Sequence, residues 1–468
     1  MYIEQIYTGC LAQGAYYIES EGEAAVIDPL RETSPYIAKA EERGAKIKYI
    51  FETHFHADFV SGHIDLAQKS GAKIVFGPNA ETGFESHIAT DGEIFEIGKI
   101  KIKVLHTPGH TPESSTYLLI DDMGKNHAIF SGDTLFIGDV GRPDLAIKSD
   151  LTLEDLAGML YESLHTKIMP LEDDLIVFPA HGAGSACGKK MSEETSDTLG
   201  HQKLTNYALQ KMTKESFIQQ VTEGLSEPPQ YFPKNAAMNK HGYNNFDEIL
   251  AKGGVPLSPE QFEEAVNSAG ALMLDTRHQQ SFNKAFIPNS INISLDGQFA
   301  PWVGTLISDI NQPIVIIAEQ DRIEEAVTRL SRVGYDNTLG YLEGGIESWK
   351  QAGKETDSIK SISPNELEVL LQNKQDINIL DVRRQTEFEA EHIPNAVNFP
   401  LDYINYKMEN LDKNKEYYVH CSGGYRSMTT ASILRSRGFK HVIDIEGGFN
   451  NIKEKSSIVM TKEELQHA

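Results

Sequence analysis

Thr53-His54-Phe55-His56-Ala57-Asp58-Phe59 is the stretch that decides the fold of the first half of this chain. Metal-capable side chains alternate along it, and the series continues through Thr107-Pro108-Gly109-His110, Ser131-Gly132-Asp133 and Pro179-Ala180-His181-Gly182. Neutral imidazoles and a carboxylate hold a catalytic divalent metal while leaving coordination positions open. Each group follows a strand-like apolar run: Ile47–Glu52 before His54, Ile102–Leu105 before His110, Ala128–Phe130 before Asp133 and Leu175–Phe178 before His181. Side chains at strand ends converge on one rim of a sheet. The reading is a metal site on an α/β sandwich.

The order HxHxD, His, Asp, His resembles the metallo-β-lactamase fold family over roughly residues 1 to 230. That resemblance implies an αββα sandwich. Two-metal members read HxHxDH, whereas Phe59 stands here at the last position and cannot coordinate a cation. The branch that remains is similar to the persulfide (sulfur) dioxygenases. The resemblance implies His54, His110 and Asp133 as the ligands of one Fe(II) per chain, a 2-His-1-carboxylate face suited to O2 chemistry. His56, Asp58 and His181 are then expected to orient ligands or substrate, or to serve as further ligands. A zinc-dependent thioester hydrolase of the glyoxalase II type uses the same histidine series and is the alternative, against which Phe59 counts.

Composition bounds the rest. At 468 residues the chain is too long for one core, and typical domain sizes give about three units. A formal net charge of −25 and a pI near 5.1 argue against nucleic-acid and anionic-membrane partners, whose footprint is basic. No apolar run approaches the roughly 20 residues of a membrane span. The start, MYIEQIYTGC, has neither a basic nor an apolar signal region. Three cysteines, Cys10, Cys187 and Cys421, do not make a disulfide framework. The expected compartment is the cytoplasm.

The second half is a repeat. Leu274-Asp275-Thr276-Arg277 returns as Leu380-Asp381-Val382-Arg383, Phe286–Asn292 as His392–Asn398, and Glu343-Gly344-Gly345 as Glu446-Gly447-Gly448. The offset drifts only from 106 to 103 residues, and each copy alternates apolar strands with helix-like stretches. Both copies resemble the rhodanese fold, a small parallel-sheet α/β unit. The expected divisions are residues 1–252, 253–357 and 358–468, with linkers at Lys252–Pro256 and Asp357–Ser363.

The last copy carries Val419-His420-Cys421-Ser422-Gly423-Gly424-Tyr425-Arg426-Ser427. A cysteine leaving a strand, two glycines and a following helix predict a cradle built from Ser422, Gly423, Gly424 and Tyr425. Inward N–H groups, a helix N-terminus and Arg426 would lower the thiol pKa there. Such a thiolate attacks sulfane sulfur and holds it as a persulfide. The four residues between Cys421 and Arg426 are one fewer than phosphatase-like relatives have, which argues for sulfur rather than phosphate. In the middle copy Ala318 takes the place of the cysteine, followed by Glu319-Gln320-Asp321, so that unit is expected to be silent.

Cys187, six residues past His181 in a glycine-rich loop beside Lys189 and Lys190, is expected to line the metal pocket as a partly ionised thiol. Arg142, in Gly138–Asp144, is a candidate for gripping the carboxylate of a thiol carrier. Taken whole, the chain resembles a dioxygenase–rhodanese fusion. Its implied chemistry is oxidation of a low-molecular-weight persulfide by O2 to sulfite, coupled to sulfur transfer that makes or consumes thiosulfate in sulfide detoxification. The resemblance also implies a homo-oligomer.

Overall fold

The computed structural model describes residues 1–146, 151–225, 227–373 and 377–462. It divides into two compact units, Met1–Asp247 with Ser331–Gly334, and Glu248–Leu330 with Tyr335–Ala468. The two repeats thus form one unit.

The first unit holds two six-stranded sheets. One orders Tyr2–Thr8, Gln13–Ser20, Glu23–Ile27, Lys46–Phe51, Lys73–Phe76 and His87–Ile88. The other orders Asp197–Thr198, Ile176–Pro179, Asn126–Gly132, Ser115–Ile120, Ile100–His106 and Ile94–Ile97. Strand periodicity sorts their side chains between two faces. Tyr16, Ile18, Ala25 and Ile27 meet Val104, Tyr117, Leu119, Ala128 and Phe130 in a core between the sheets. Their neighbours Ala15, Tyr17, Ala24 and Val26 point outward, to be covered by Tyr36, Ala40 and Leu66 of the helices Ser34–Arg43 and His63–Ser70. Leu105, Leu118 and Ile129 do the same on the other side, under Leu160, Phe217 and Val221 of the helices Leu153–Ser163 and Lys214–Thr222. Helix, sheet, sheet, helix is the layer order that two double-faced apolar sheets require.

In the second unit each repeat forms a five-stranded, wholly parallel sheet. The first is ordered Pro256–Leu257, Thr338–Leu342, Ile314–Ile317, Leu272–Asp275, Ile291–Asn292. The second is ordered Lys360–Ile362, His441–Ile445, Glu416–His420, Asn378–Asp381, Val397–Asn398. The repeated sequence landmarks hold this order. Arg277 grips Asp275 with both Nε (2.9 Å) and Nη2 (2.5 Å), and Arg383 grips Asp381 at 2.9 and 2.6 Å. Asn292 donates to the carbonyls of Asp275 and Arg277, as Asn398 does to those of Asp381 and Arg383. These residues tie neighbouring strand ends together, and all but the half-buried Asn398 are buried.

The repeats also touch within their unit. The backbone N–H of Asn292 donates to Ser432 Oγ at 2.8 Å, and Tyr425 Oη donates to the Ser294 carbonyl at 2.8 Å. Arg435 pairs with Asp357.

Candidate metal centre and cysteine loop

In the first unit, strand Lys46–Phe51 runs into His54, Ile100–His106 into His110, Asn126–Gly132 into Asp133 and Ile176–Pro179 into His181. All four ligand-bearing turns lie on one rim, and every side chain in the series is buried. Gly132 is required where it stands. It turns at φ +54°, and a Cβ there would lie 2.6 Å from Thr53 Cβ.

His54 Nε2 and His110 Nε2 stand 3.8 and 3.4 Å from Asp133 Oδ2. Their outer nitrogens are fixed. Thr53 Oγ1 donates to Asp28 Oδ2 at 2.8 Å, so it accepts from His54 Nδ1, 3.0 Å away. His110 Nδ1 donates to the Arg142 carbonyl at 2.8 Å. Both rings therefore present the Nε2 lone pair to the same point as Asp133 Oδ2, a buried carboxylate oxygen with no hydrogen-bond partner among the described residues. Two imidazole nitrogens and an orphaned carboxylate oxygen are a donor set that fits a divalent metal. Burial holds His54 well below the usual imidazole range, with the His56 ring beside it adding to the effect, so it is neutral and ready to ligate. Burial pushes the Asp133 carboxyl up, but the charge and hydrogen bond of His181 outweigh it and leave that carboxyl lowered.

A second donor group adjoins the first. His181 spans two carboxylates, Nδ1 to Asp133 Oδ1 and Nε2 to Asp58 Oδ2, both at 2.8 Å. Burial opposes its charge, but Asp133 and Asp58 prevail and raise its pKa well above the usual value. His56, Asp58 and His181 form a trio close enough to hold an ion; His56 also meets Asp28 Oδ1 at 3.2 Å. The Phe59 ring packs 4.3 Å from the His56 ring and is wholly buried, filling with hydrocarbon the side where a further imidazole would ligate.

Two residues of this site carried no sequence signal. Asn239, in the helix Phe232–His241, donates to the carbonyls of His56 and Phe59 at 2.7 Å each and accepts from Ser61 N–H at 2.8 Å. Glu113 accepts from Phe55 N–H at 3.1 Å. Together they fix the HxHxDF loop from outside. An asparagine 180 residues downstream of Phe59 has no spacing that could announce it.

Cys187 lies at the metal centre, its sulfur within reach of Asp133 and His181. Its expected ionisation does not hold. Burial pushes the thiol pKa far up, and the Asp58 and Asp133 carboxylates add to the rise. The lysines that were to favour a thiolate turn elsewhere: their backbone N–H groups cap Asp139, and Lys189 Nζ reaches the carbonyls of Gln220 and Glu223. Arg142 holds Asp144 through Nε (2.6 Å) and Nη2 (2.7 Å) and donates Nη1 to the Ala186 carbonyl. It thus braces the loop that carries Cys187.

In the last repeat, strand Glu416–His420 delivers Cys421 to the N-terminus of the helix Tyr425–Ser436. Gly424, at φ +98°, donates its N–H to Cys421 Sγ at 3.1 Å. The Glu446-Gly447-Gly448 turn closes the loop from behind, with Phe449 N–H on the Cys421 carbonyl (2.7 Å) and Asn450 N–H on that of Ser422 (3.0 Å). Two expected cradle residues are occupied differently. Tyr425 sends its hydroxyl to Ser294 of the middle repeat, and Arg426 donates Nη1 and Nη2 to Glu387 at 2.6 and 2.9 Å and Nη2 to Ser422 Oγ at 2.9 Å. In the middle repeat Ala318 follows the matching strand Ile314–Ile317, and Gln320–Arg322 makes a 3-10 turn where glycines would be needed for a cradle.

These geometries agree with what the chain is similar to. The profile of the metallo-beta-lactamase superfamily matches residues 8–181, and that of the rhodanese-like domain matches residues 258–352 and 363–455. A metallo-beta-lactamase structure from Staphylococcus aureus subsp. aureus COL is 32% identical with a TM-score of 0.64, covering 73% of this chain and 98% of its own. The human persulfide dioxygenase ETHE1, mitochondrial, is 34% identical over 161 residues, which span 34% of this chain and 59% of that protein. The hydroxyacylglutathione hydrolase GloC of Haemophilus influenzae is 29% identical over 194 residues, 37% of this chain and 86% of its own length. The chain belongs to the metallo-beta-lactamase superfamily through its first unit and joins to it two rhodanese-like domains.

Proposed function

We propose that this protein oxidises a low-molecular-weight persulfide with O2 at a single iron and moves sulfane sulfur through Cys421, in sulfide detoxification in the cytoplasm. The observation that carries the reading is the trio His54, His110 and Asp133 beside a wholly buried Phe59. Two nitrogens and one carboxylate oxygen suit Fe(II) and O2, and the phenylalanine takes from the neighbouring site a ligand that a two-metal hydrolase would use. His54, His110 and Asp133 would hold the iron, which would supply activation of O2 toward a persulfide sulfur. The overall change is RSSH + O2 + H2O → RSH + sulfite + two protons. The chain's part is to hold both rings with Nε2 inward, through Thr53–Asp28 and the Arg142 carbonyl, and to keep bulk water out by burial.

At the last repeat the Cys421 thiolate attacks the outer sulfur of a second persulfide and displaces RS⁻. Sulfite then attacks that outer sulfur, the S–S bond breaks back to Cys421 thiolate, and thiosulfate leaves. The reverse direction uses the same loop. The Gly424 N–H, already on Sγ, supports the thiolate in both directions.

A zinc thioester hydrolase joined to a sulfurtransferase is the second reading. The trio His56, Asp58 and His181 favours it, as does the similarity to hydroxyacylglutathione hydrolase, which rivals that to persulfide dioxygenase. Elemental analysis with oxygen-electrode assays separates the two. One iron per chain and persulfide-dependent oxygen uptake, both lost in Asp133→Ala, are expected; two zinc ions and thioester hydrolysis overturn the dioxygenase reading. Cys421→Ser should keep oxygen uptake and release sulfite in place of thiosulfate.

A further inference from the structure

Glu387 is the first-turn residue of the short helix Gln385–Ala390 and faces the cysteine loop. Its carboxylate takes both terminal nitrogens of Arg426, at 2.6 and 2.9 Å, and the Ser422 hydroxyl at 2.9 Å. Burial lowers the Arg426 pKa, but the Glu387 hydrogen bond and charge prevail and raise it, with Cys421 adding to the rise. The polar side chains on either side of the Gly-Gly turn, Ser422 and Arg426, are therefore already spent on an anion that the protein itself supplies. The carboxylate is partly open to solvent, its side chain 34% exposed, so it has room to leave. Burial pushes its pKa up, but the Arg426 hydrogen bond and charge prevail and lower it to about 2, so it stays ionised at any working pH.

The repeat supplies a comparison within one molecule. At the same offsets, 106 for the first segment and 103 for the second, the silent middle copy has Ser281 for Glu387 and Ile323 for Arg426. It keeps the buried Asp275–Arg277 pair in the geometry of Asp381–Arg383. Structural pairing survives where the cysteine is absent, and the Glu–Arg pair does not. A pair needed only for folding would have no reason to follow the nucleophile.

We propose that Glu387 is a resident anion on the Cys421 loop and sets specificity: an incoming sulfur oxyanion of the sulfite or thiosulfate class must displace it from Arg426 and Ser422. Such dianions offer several acceptor oxygens to a guanidinium and a hydroxyl at once and compete well. Singly charged donors compete poorly. The inference rests on the sulfur-transfer reading for its substrates, but its test does not.

Two measurements on the full-length protein probe it. The first is the ratio of iodoacetate to iodoacetamide alkylation rates at Cys421, followed by peptide mass. Removing a fixed negative charge should raise this ratio about three- to fivefold in Glu387→Gln, the scale of a partly exposed ion pair, while Arg426→Gln lowers it. The second is thiosulfate:cyanide sulfurtransferase kinetics, where Glu387→Gln should lower KM for thiosulfate by a similar factor with kcat little changed. A purely structural Glu387 would leave the alkylation ratio alone and depress kcat. An unchanged or lowered ratio in Glu387→Gln sinks the proposal, even if sulfur transfer proceeds. A raised ratio in a protein that transfers no sulfur leaves the proposal standing and removes the sulfurtransferase reading instead.

Discussion

Asp444 shows how one buried carboxyl ties the cysteine loop to pH. It accepts from Ser427 Oγ at 2.8 Å and Ser361 Oγ at 3.3 Å, and burial raises its pKa to about 6 despite both bonds. A carboxyl whose folded pKa exceeds its unfolded one binds more protons when folded. Its contribution to stability is therefore fully present below the unfolded value and is lost as pH rises through about 6. The linkage is worth about 3 kcal/mol. Asp444→Asn should remove this component, so its stability relative to wild type improves between pH 4 and pH 7. Urea denaturation at both pH values measures it, and a difference that is flat with pH contradicts the account. At the metal centre the same logic of desolvation keeps Cys187 a neutral thiol. Alkylation of Cys187 in the native protein should accordingly be far slower than that of a free thiol, and Asp58→Asn should quicken it.

At the level of elements, the two functional loops are held by segments distant in sequence. The HxHxDF loop hangs on Asn239, whose side chain makes three hydrogen bonds to its backbone while 1% exposed. Asn239→Ala leaves those buried groups without partners, at a cost of about 1–3 kcal/mol for each group that water does not reach. A lower Tm together with reduced metal content is expected, and normal metal content would show that the loop holds its own shape. The cysteine loop leans on the middle repeat. Arg329 draws in the carbonyls of Leu295 (2.6 Å) and Gly297 (2.7 Å), and a Cβ on Gly297 would lie 2.5 Å from the Tyr425 ring. Gly297→Ala must push Tyr425, and with it the first turn after Gly424, at a cost of about 1–3 kcal/mol. Sulfur transfer should fall more in Gly297→Ala than in Tyr425→Phe, which loses only the bond to Ser294. Equal effects would mean that position 297 does not reach the active loop.

At the scale of the whole molecule, the two repeats form one compact unit, and this gives the middle repeat, which has no cysteine at position 318, a supporting part. The helix Tyr425–Ser436, which follows Cys421, is buried along most of its length, and part of its cover comes from the middle repeat. A fragment of residues 248–468 should therefore transfer sulfur, while residues 358–468 alone should be unstable or weakly active. Comparable activity and Tm for the two fragments would refute this. Among the described residues no helix is long and apolar enough to cross a membrane. The sequence by itself determined the local chemistry: which strands end in residues able to ligate a metal, that Phe59 cannot ligate, that Ala318 cannot act as a nucleophile, and that the second half repeats. Such facts depend on residue type and short spacing, and a reader of the chain has both. What the fold alone decided depends on residues far apart that meet. Arg426 turned to Glu387, Tyr425 reached across to Ser294, Arg142 closed on Asp144, and Cys187 came to rest among carboxylates instead of lysines. A charged or nucleophilic side chain takes its function from the groups packed around it, and only the tertiary structure chooses those neighbours.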